Sequence, residues 1–217
     1  MLIAEELLLL GLDPARGTPL ASRQYLVVCL SGALVGELAL AGAVELAGGR
    51  FVATGPAPDD PLLARVHALL AQHTLRRAPG QLRRLDRALG GAWSHLVDGL
   101  VERGVLGRRR DRMLLWSVTR HPVLRPDARD EPVRRVRLAA AGDGYLEPRT
   151  AVLLALAGPA RLLEVVAPER AARRHARQRI KAASELTPVA PVVKKVIAEM
   201  QAATGGAATV AVTATAG

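Results

Sequence analysis

Leu26 to Leu46 reads LVVCLSGALVGELALAGAVEL. The run is apolar and long enough to resemble a membrane span. Glu37 interrupts it, however, and Gly32, Gly36 and Gly42 dilute it. A carboxylate at bilayer depth is costly, so the run predicts a buried core helix, from about Ala21 to Leu40 and closing at Gly42. A chain built around such a helix is globular and, at 217 residues, fits one domain comfortably.

Helix signals dominate on both sides. Upstream, Ile3 to Leu12 reads as a helix ended by Asp13-Pro14 and a turn at Gly17. Its apolar run carries Glu5 and Glu6 and no preceding basic stretch, so it does not read as a signal peptide. Downstream, Ala43 to Leu46 and Arg50 to Thr54 pair around Gly48-Gly49 as a short hairpin. Asp59-Asp60-Pro61 starts a helix whose apolar face is Leu62, Leu63, Val66, Leu69 and Leu70. Gln81 to Arg103 is helical on either side of Gly90-Gly91, with Leu96, Leu100 and Val101 buried and Gly104 as C-cap. A second hairpin follows: Val105-Leu106 leads up, Gly107 to Arg112 turns, and Met113 to Val118 returns. Further helices are expected at about Asp130 to Ala141, Glu147 to Ala157, Gly158 to Ala167, Pro168 to Glu185 and Pro191 to Ala203. The tail TGGAATVAVTATAG reads as disordered. The fold class is mainly α: one globular, mostly helical domain carrying one or two hairpins. Residues 1–187 form that domain, and residues 188–217 a C-terminal helix and low-complexity tail.

Half the residues are apolar and the formal net charge is +10. Of thirty basic residues only Lys181, Lys194 and Lys195 are lysine, a bias that a GC-rich bacterial genome would write. A basic surface attracts anions, whether nucleic acid or lipid. Cys29, the single cysteine, excludes an intrachain disulfide and reads as a buried hydrophobe. The histidines His67, His73, His95, His121 and His175 form no metal-ligand pair. No phosphate loop, dinucleotide fingerprint or nucleophile elbow is present. The adjacent carboxylates Glu5-Glu6 and Asp59-Asp60 read as capping or solvated groups. No cofactor, metal or enzyme activity is implied.

What stands out is Gly107 to Pro122, GRRRDRMLLWSVTRHP, where arginines adjoin apolar side chains in a chain with two Trp, two Tyr and one Phe. One reading is a winged helix that uses the hairpin as a wing on nucleic acid. The helix ahead of it presents Ser94, His95, Asp98 and Glu102, a poor set for approaching DNA. A wing also exposes arginines alone, without Met-Leu-Leu-Trp. In a second reading Arg108, Arg109, Arg110 and Arg112 face anionic headgroups while Met113, Leu114, Leu115 and Trp116 enter the interface. In a third, alternate residues of Met-Leu-Leu-Trp pack on the domain as an ordinary strand and the arginines are solvated. Each basic residue near an anionic leaflet contributes about 1 kcal/mol. A buried large apolar side chain adds about 1.5–3 kcal/mol. In PERAARRHARQRIKAASE, Arg170, Arg173, Arg174, Arg177 and Lys181 share one helical face, which reads as solvated.

The chain resembles the Golgi phosphoprotein 3 family over about residues 2 to 185. The resemblance is carried in order by EELLLLGLDPARG, SGALVGELALAGAVEL with its internal Glu37, PDDPLL, LVERGVLGRRRDRMLLWSVTRHPV and RTAVLLALAGPARLLEVVAP. It implies a single globular domain of central core helices wrapped by amphipathic ones, with a projecting β-hairpin. It also implies a peripheral membrane protein that binds phosphatidylinositol 4-phosphate and acts as an adaptor or scaffold. It implies a cytoplasmic location at a membrane, with anionic lipids as partners, a client protein, and a homo-oligomer formed through the hairpin. The family's headgroup-binding positions fall at Ser22, Ser31, Gly90 and Trp93, none of which matches the family's residue. Arg23, Arg83, Arg84 and Arg87, with Trp93, are therefore the candidates for a different anionic-headgroup site.

Overall fold

In the computed structural model α1 (Ile3–Leu10) buries all of its residues, including Glu5 and Glu6. It packs on α2 (Arg23–Leu40), the expected core helix, which buries Leu26, Cys29, Leu30, Leu34 and Leu38. The structure describes residues 1–72, 76–112 and 117–213, with backbone alone at 112, 117 and 204–213. Among the described residues α2 is long and apolar enough to cross a membrane, yet it touches α1 and six later elements of the same domain. The glycines that dilute its hydropathy are contact points. A Cβ on Gly32 would lie 2.5 Å from Val193 Cγ2, and one on Gly36 would lie 2.8 Å from Val152 Cγ1.

After α2, β1 (Val44–Ala47) and β2 (Arg50–Ala53) pair antiparallel, Val44 opposite Ala53. Asp60 caps α3 (Pro61–Gln72), its Oδ1 accepting from Leu62 N and Leu63 N at 3.0 Å each. That is the bond an N-cap carboxylate is expected to make. Gly90-Gly91 separates α4 (Ala78–Ala88) from α5 (Ala92–Glu102). The second hairpin has a different register from the expected one. β3 is Arg109–Arg112 and β4 is Ser117–Arg120, so Arg109, Arg110 and Arg112 stand on a strand where a turn was expected. Met113 to Trp116 lie outside the described residues, as does His73.

The C-terminal half follows as α6 (Pro126–Ala141), α7 (Pro148–Ala157), α8 (Leu163–Val166), α9 (Arg173–Glu185) and α10 (Val189–Thr213). Three expectations change. The helix read from Gly158 shrinks to the four residues of α8, and Arg170–Ala172 is a 3-10 turn ahead of α9. The α10 backbone continues to Thr213 where disorder was expected; alanine-rich sequence favours helix despite its glycines. Arg173 leaves the basic face of α9 to pair with Glu164 at 3.0 Å and to donate to the Ala167 carbonyl. Of the described residues 62% are helical. The core is α2 with α1 and α7 against it, wrapped by α4, α6, α9 and α10.

Buried ion pairs pin the N-terminus, where solvated carboxylates were one expectation. Glu37 Oε2 accepts from Ile3 N at 2.6 Å, and its other oxygen accepts from Arg149 on α7. Glu6 pairs with Arg149 at 3.2 Å and with Arg135 on α6, while Glu5 accepts from Leu2 N at 2.9 Å and pairs with Arg103 beyond α5. Burial works against the Arg149 charge, but its bonds to Glu37 and Glu6 outweigh that and raise its pKa above the usual guanidinium value. Burial also pushes the Cys29 thiol up, so it stays protonated.

Candidate anion-binding cleft at the hairpin base

The loop between α1 and α2 anchors the hairpin. His121 N donates to Gly17 O at 3.0 Å, Val123 N to Pro14 O at 2.9 Å, and Gly107 N to Pro122 O at 2.8 Å. These backbone bonds close the foot of the hairpin and tie it to the loop between α1 and α2. Between them opens a cleft of about 600 Å³, lined by Thr18, Arg23, Trp93, Ser94, Asp98, Arg108, Arg110, Thr119 and His121.

Strand alternation sorts the arginines. Arg109 donates to Asp111 at 3.0 Å, and Arg120 pairs with the same carboxylate at 2.8 Å, so both arginines of that face are engaged by one carboxylate. Arg110, one residue on, pairs in register with Thr119, and both side chains line the cleft. No ion-pair partner for Arg110 occurs among the described residues. Arg23 makes none either; its guanidinium lies over the Trp93 ring, 4.9 Å from the centroid. Such a stack holds the group in place while leaving its N–H donors for a ligand. Arg108 is bonded to Asp98. Three arginines against one aspartate leave the cleft net positive.

His121 completes the wall. Its Nδ1 lies 3.3 Å from the Gly107 carbonyl, which can only accept, so Nδ1 carries the proton. Burial holds the imidazole pKa below its ordinary value; Arg108 and Arg23 push the same way, against the Gly107 bond and Asp98. The ring is therefore neutral at pH 7 and offers Nε2 as an acceptor until it is protonated. Hydroxyls from Thr18, Ser94 and Thr119 stand at the same opening. Two unpaired guanidinium groups, hydroxyl donors and a titratable imidazole suit an oxyanion. Among the described residues no three His, Cys, Asp or Glu side chains converge on a metal position.

The candidate residues thus divide. Arg23, Trp93, Arg108 and Arg110 come together here. Arg83 lies on another cleft and pairs with Glu199 at 2.8 Å, while Arg84 and Arg87 are exposed on α4 and line neither. The Arg112 side chain and Met113, Leu114, Leu115 and Trp116 fall outside the described residues. Of the family positions, Ser22 is exposed at the start of α2, Ser31 is completely buried, Gly90 sits in a turn, and Trp93 lines the cleft. Ser31 is therefore out of reach of any headgroup. His121, Thr119 and Asp98 were not singled out for this cleft from sequence. A strand placed at Arg109–Arg112 would have pointed to Thr119 by alternation.

The chain is thus a mainly helical domain with a basic cleft at the foot of an arginine-rich hairpin. The family model for Golgi phosphoprotein 3 (GPP34) matches residues 3–200, and the chain belongs to that family. At the level of the family this means a lipid-binding protein peripherally associated with membranes. No curated protein matches the chain.

Proposed function

We propose that this chain is a cytoplasmic peripheral membrane protein that holds an anionic phospholipid headgroup in the cleft at the hairpin base and serves as an adaptor or scaffold. The observation that carries the reading is the convergence of Arg23 and Arg110, both without an ion-pair partner among the described residues, on one open cleft. Phosphatidylinositol 4-phosphate is the headgroup that family membership points to, and Arg23 stacked on Trp93 takes the place of the family's own residues. Met113, Leu114, Leu115 and Trp116, between the strands in sequence, supply the apolar contact. A client protein and self-association through the hairpin belong to the same reading. Against the nucleic-acid alternative, Asp98 of α5 is bonded to Arg108, and His95 lies 2.6 Å from the Leu89 carbonyl. The helix that a winged-helix protein would insert in a groove has little left to offer a base.

Flotation on phosphatidylglycerol vesicles, with and without phosphatidylinositol 4-phosphate, tests the cleft. A charge-assisted hydrogen bond contributes about 1.5–3 kcal/mol, so Arg23→Ala with Arg110→Ala lowers vesicle affinity at least about tenfold. Arg109→Ala, whose guanidinium is already bonded to Asp111, lowers it far less. Equal losses from the double variant and from Arg109→Ala would contradict the cleft.

A further inference from the structure

Gln81 is almost completely buried, and its amide makes both backbone bonds of Phe51. It accepts from Phe51 N and donates to Phe51 O, each at 2.8 Å. Ala78 N donates to Gly49 O at 2.9 Å. These bonds fasten the β1–β2 turn to the first turn of α4, and α10 closes the third side with Pro191, Val192 and Lys195. A cleft of about 620 Å³ lies between them, and its charged groups are Arg77, Arg83, Lys195 and Glu199.

The charges are not balanced. Arg83 and Glu199 pair and cancel. Arg77 and Lys195 make no ion pair among the described residues. Gly49 has φ +75°, and a Cβ there would come 3.0 Å from Arg77 Nη1. Glycine therefore serves both the turn and the guanidinium lying against it. We infer that this is a second anion site, in which Arg77 and Lys195 hold a phosphate group, either free or carried on an inositol headgroup. A guanidinium fork and an ammonium from separate elements neutralise a phosphate dianion between them. The fastened turn means that little ordering opposes binding. The site stands apart from the hairpin cleft, with which it shares no residue.

The test is a backbone amide NMR titration of the full chain with inorganic phosphate, then inositol phosphate, then vesicles containing phosphatidylinositol 4-phosphate. Gly49, Gly80 and Lys195 amides are expected to shift saturably. Arg77→Ala with Lys195→Ala should weaken that response about tenfold or more, while Thr119 and His121 still respond. Both substitutions are on the surface, and an otherwise unchanged spectrum reports that the variant folds. Shifts with a soluble phosphate support a soluble ligand; shifts that require vesicles support a lipid headgroup. No shift at Gly49 and Gly80 with any of the three, or shifts that survive in the variant, would overturn the site. Loss of the Thr119 and His121 response alone would count against the hairpin cleft and leave this one standing.

Discussion

Arg109 spends its charge on Asp111, whereas Arg110 carries its own into the cleft beside His121. At the scale of single residues, that imidazole is the most informative probe of the site. A free histidine titrates near about 6.5, and burial lowers the value for His121 in the folded chain. The sign follows from which state takes the proton first. As pH falls below about 6.5 the unfolded chain binds it before the folded one, so this group withdraws stability on acidification. A bound anion favours the imidazolium, so it raises the His121 pKa, and by reciprocity binding tightens as the ring protonates. Ring-proton NMR with sulfate, whose charge is constant across this range, should show a pKa below the free value that rises when sulfate is added. A pKa that ignores sulfate would place the anion elsewhere.

Among the elements, α2 was legible because its contradictions had one resolution. Glu37 and the glycines were wrong for a bilayer and right for a packed helix whose carboxylate receives Ile3 N and Arg149. What that carboxylate bonds to could not be read, since Arg149 lies far along the chain and nothing local predicts the pairing. Glu37→Gln keeps an acceptor for Ile3 N but breaks the pair with a partly buried Arg149. Losing one partner of a fully buried pair costs about 3–5 kcal/mol. With both groups partly exposed, about 2 kcal/mol is expected in urea denaturation, and an unchanged midpoint would mean that the pair contributes nothing. The arginine hairpin was legible as an element but not in its register. Asp111 is a poor strand former and the run around it is all charge, so Arg109–Arg112 read as a turn, although cross-strand pairing made it β3. That shift hid the alternation that separates Arg110 from Arg109. The Arg23–Trp93 stack was legible only as two candidate residues, because it joins the starts of two helices distant in sequence.

On the scale of the whole molecule, a net charge of +10 is distributed unevenly. Arg103, Arg135 and Arg149 hold the fold together at the N-terminus of α1, and Arg109 and Arg120 neutralise Asp111. The cations left for a partner include those at the hairpin cleft and at the cleft beside α4. On the proposed reading a single hairpin would give weak, reversible attachment, which self-association would strengthen through avidity. The most direct measurement is co-sedimentation of the wild type and of Leu115→Glu/Trp116→Glu with neutral vesicles, with phosphatidylglycerol and cardiolipin vesicles, and with vesicles containing phosphatidylinositol 4-phosphate. Duplex DNA is added as competitor. Binding to the anionic vesicles that resists DNA and is lost in the double variant is the predicted result. Failure to bind any vesicle, with tight and salt-dependent binding to the duplex, would contradict a membrane role for this hairpin.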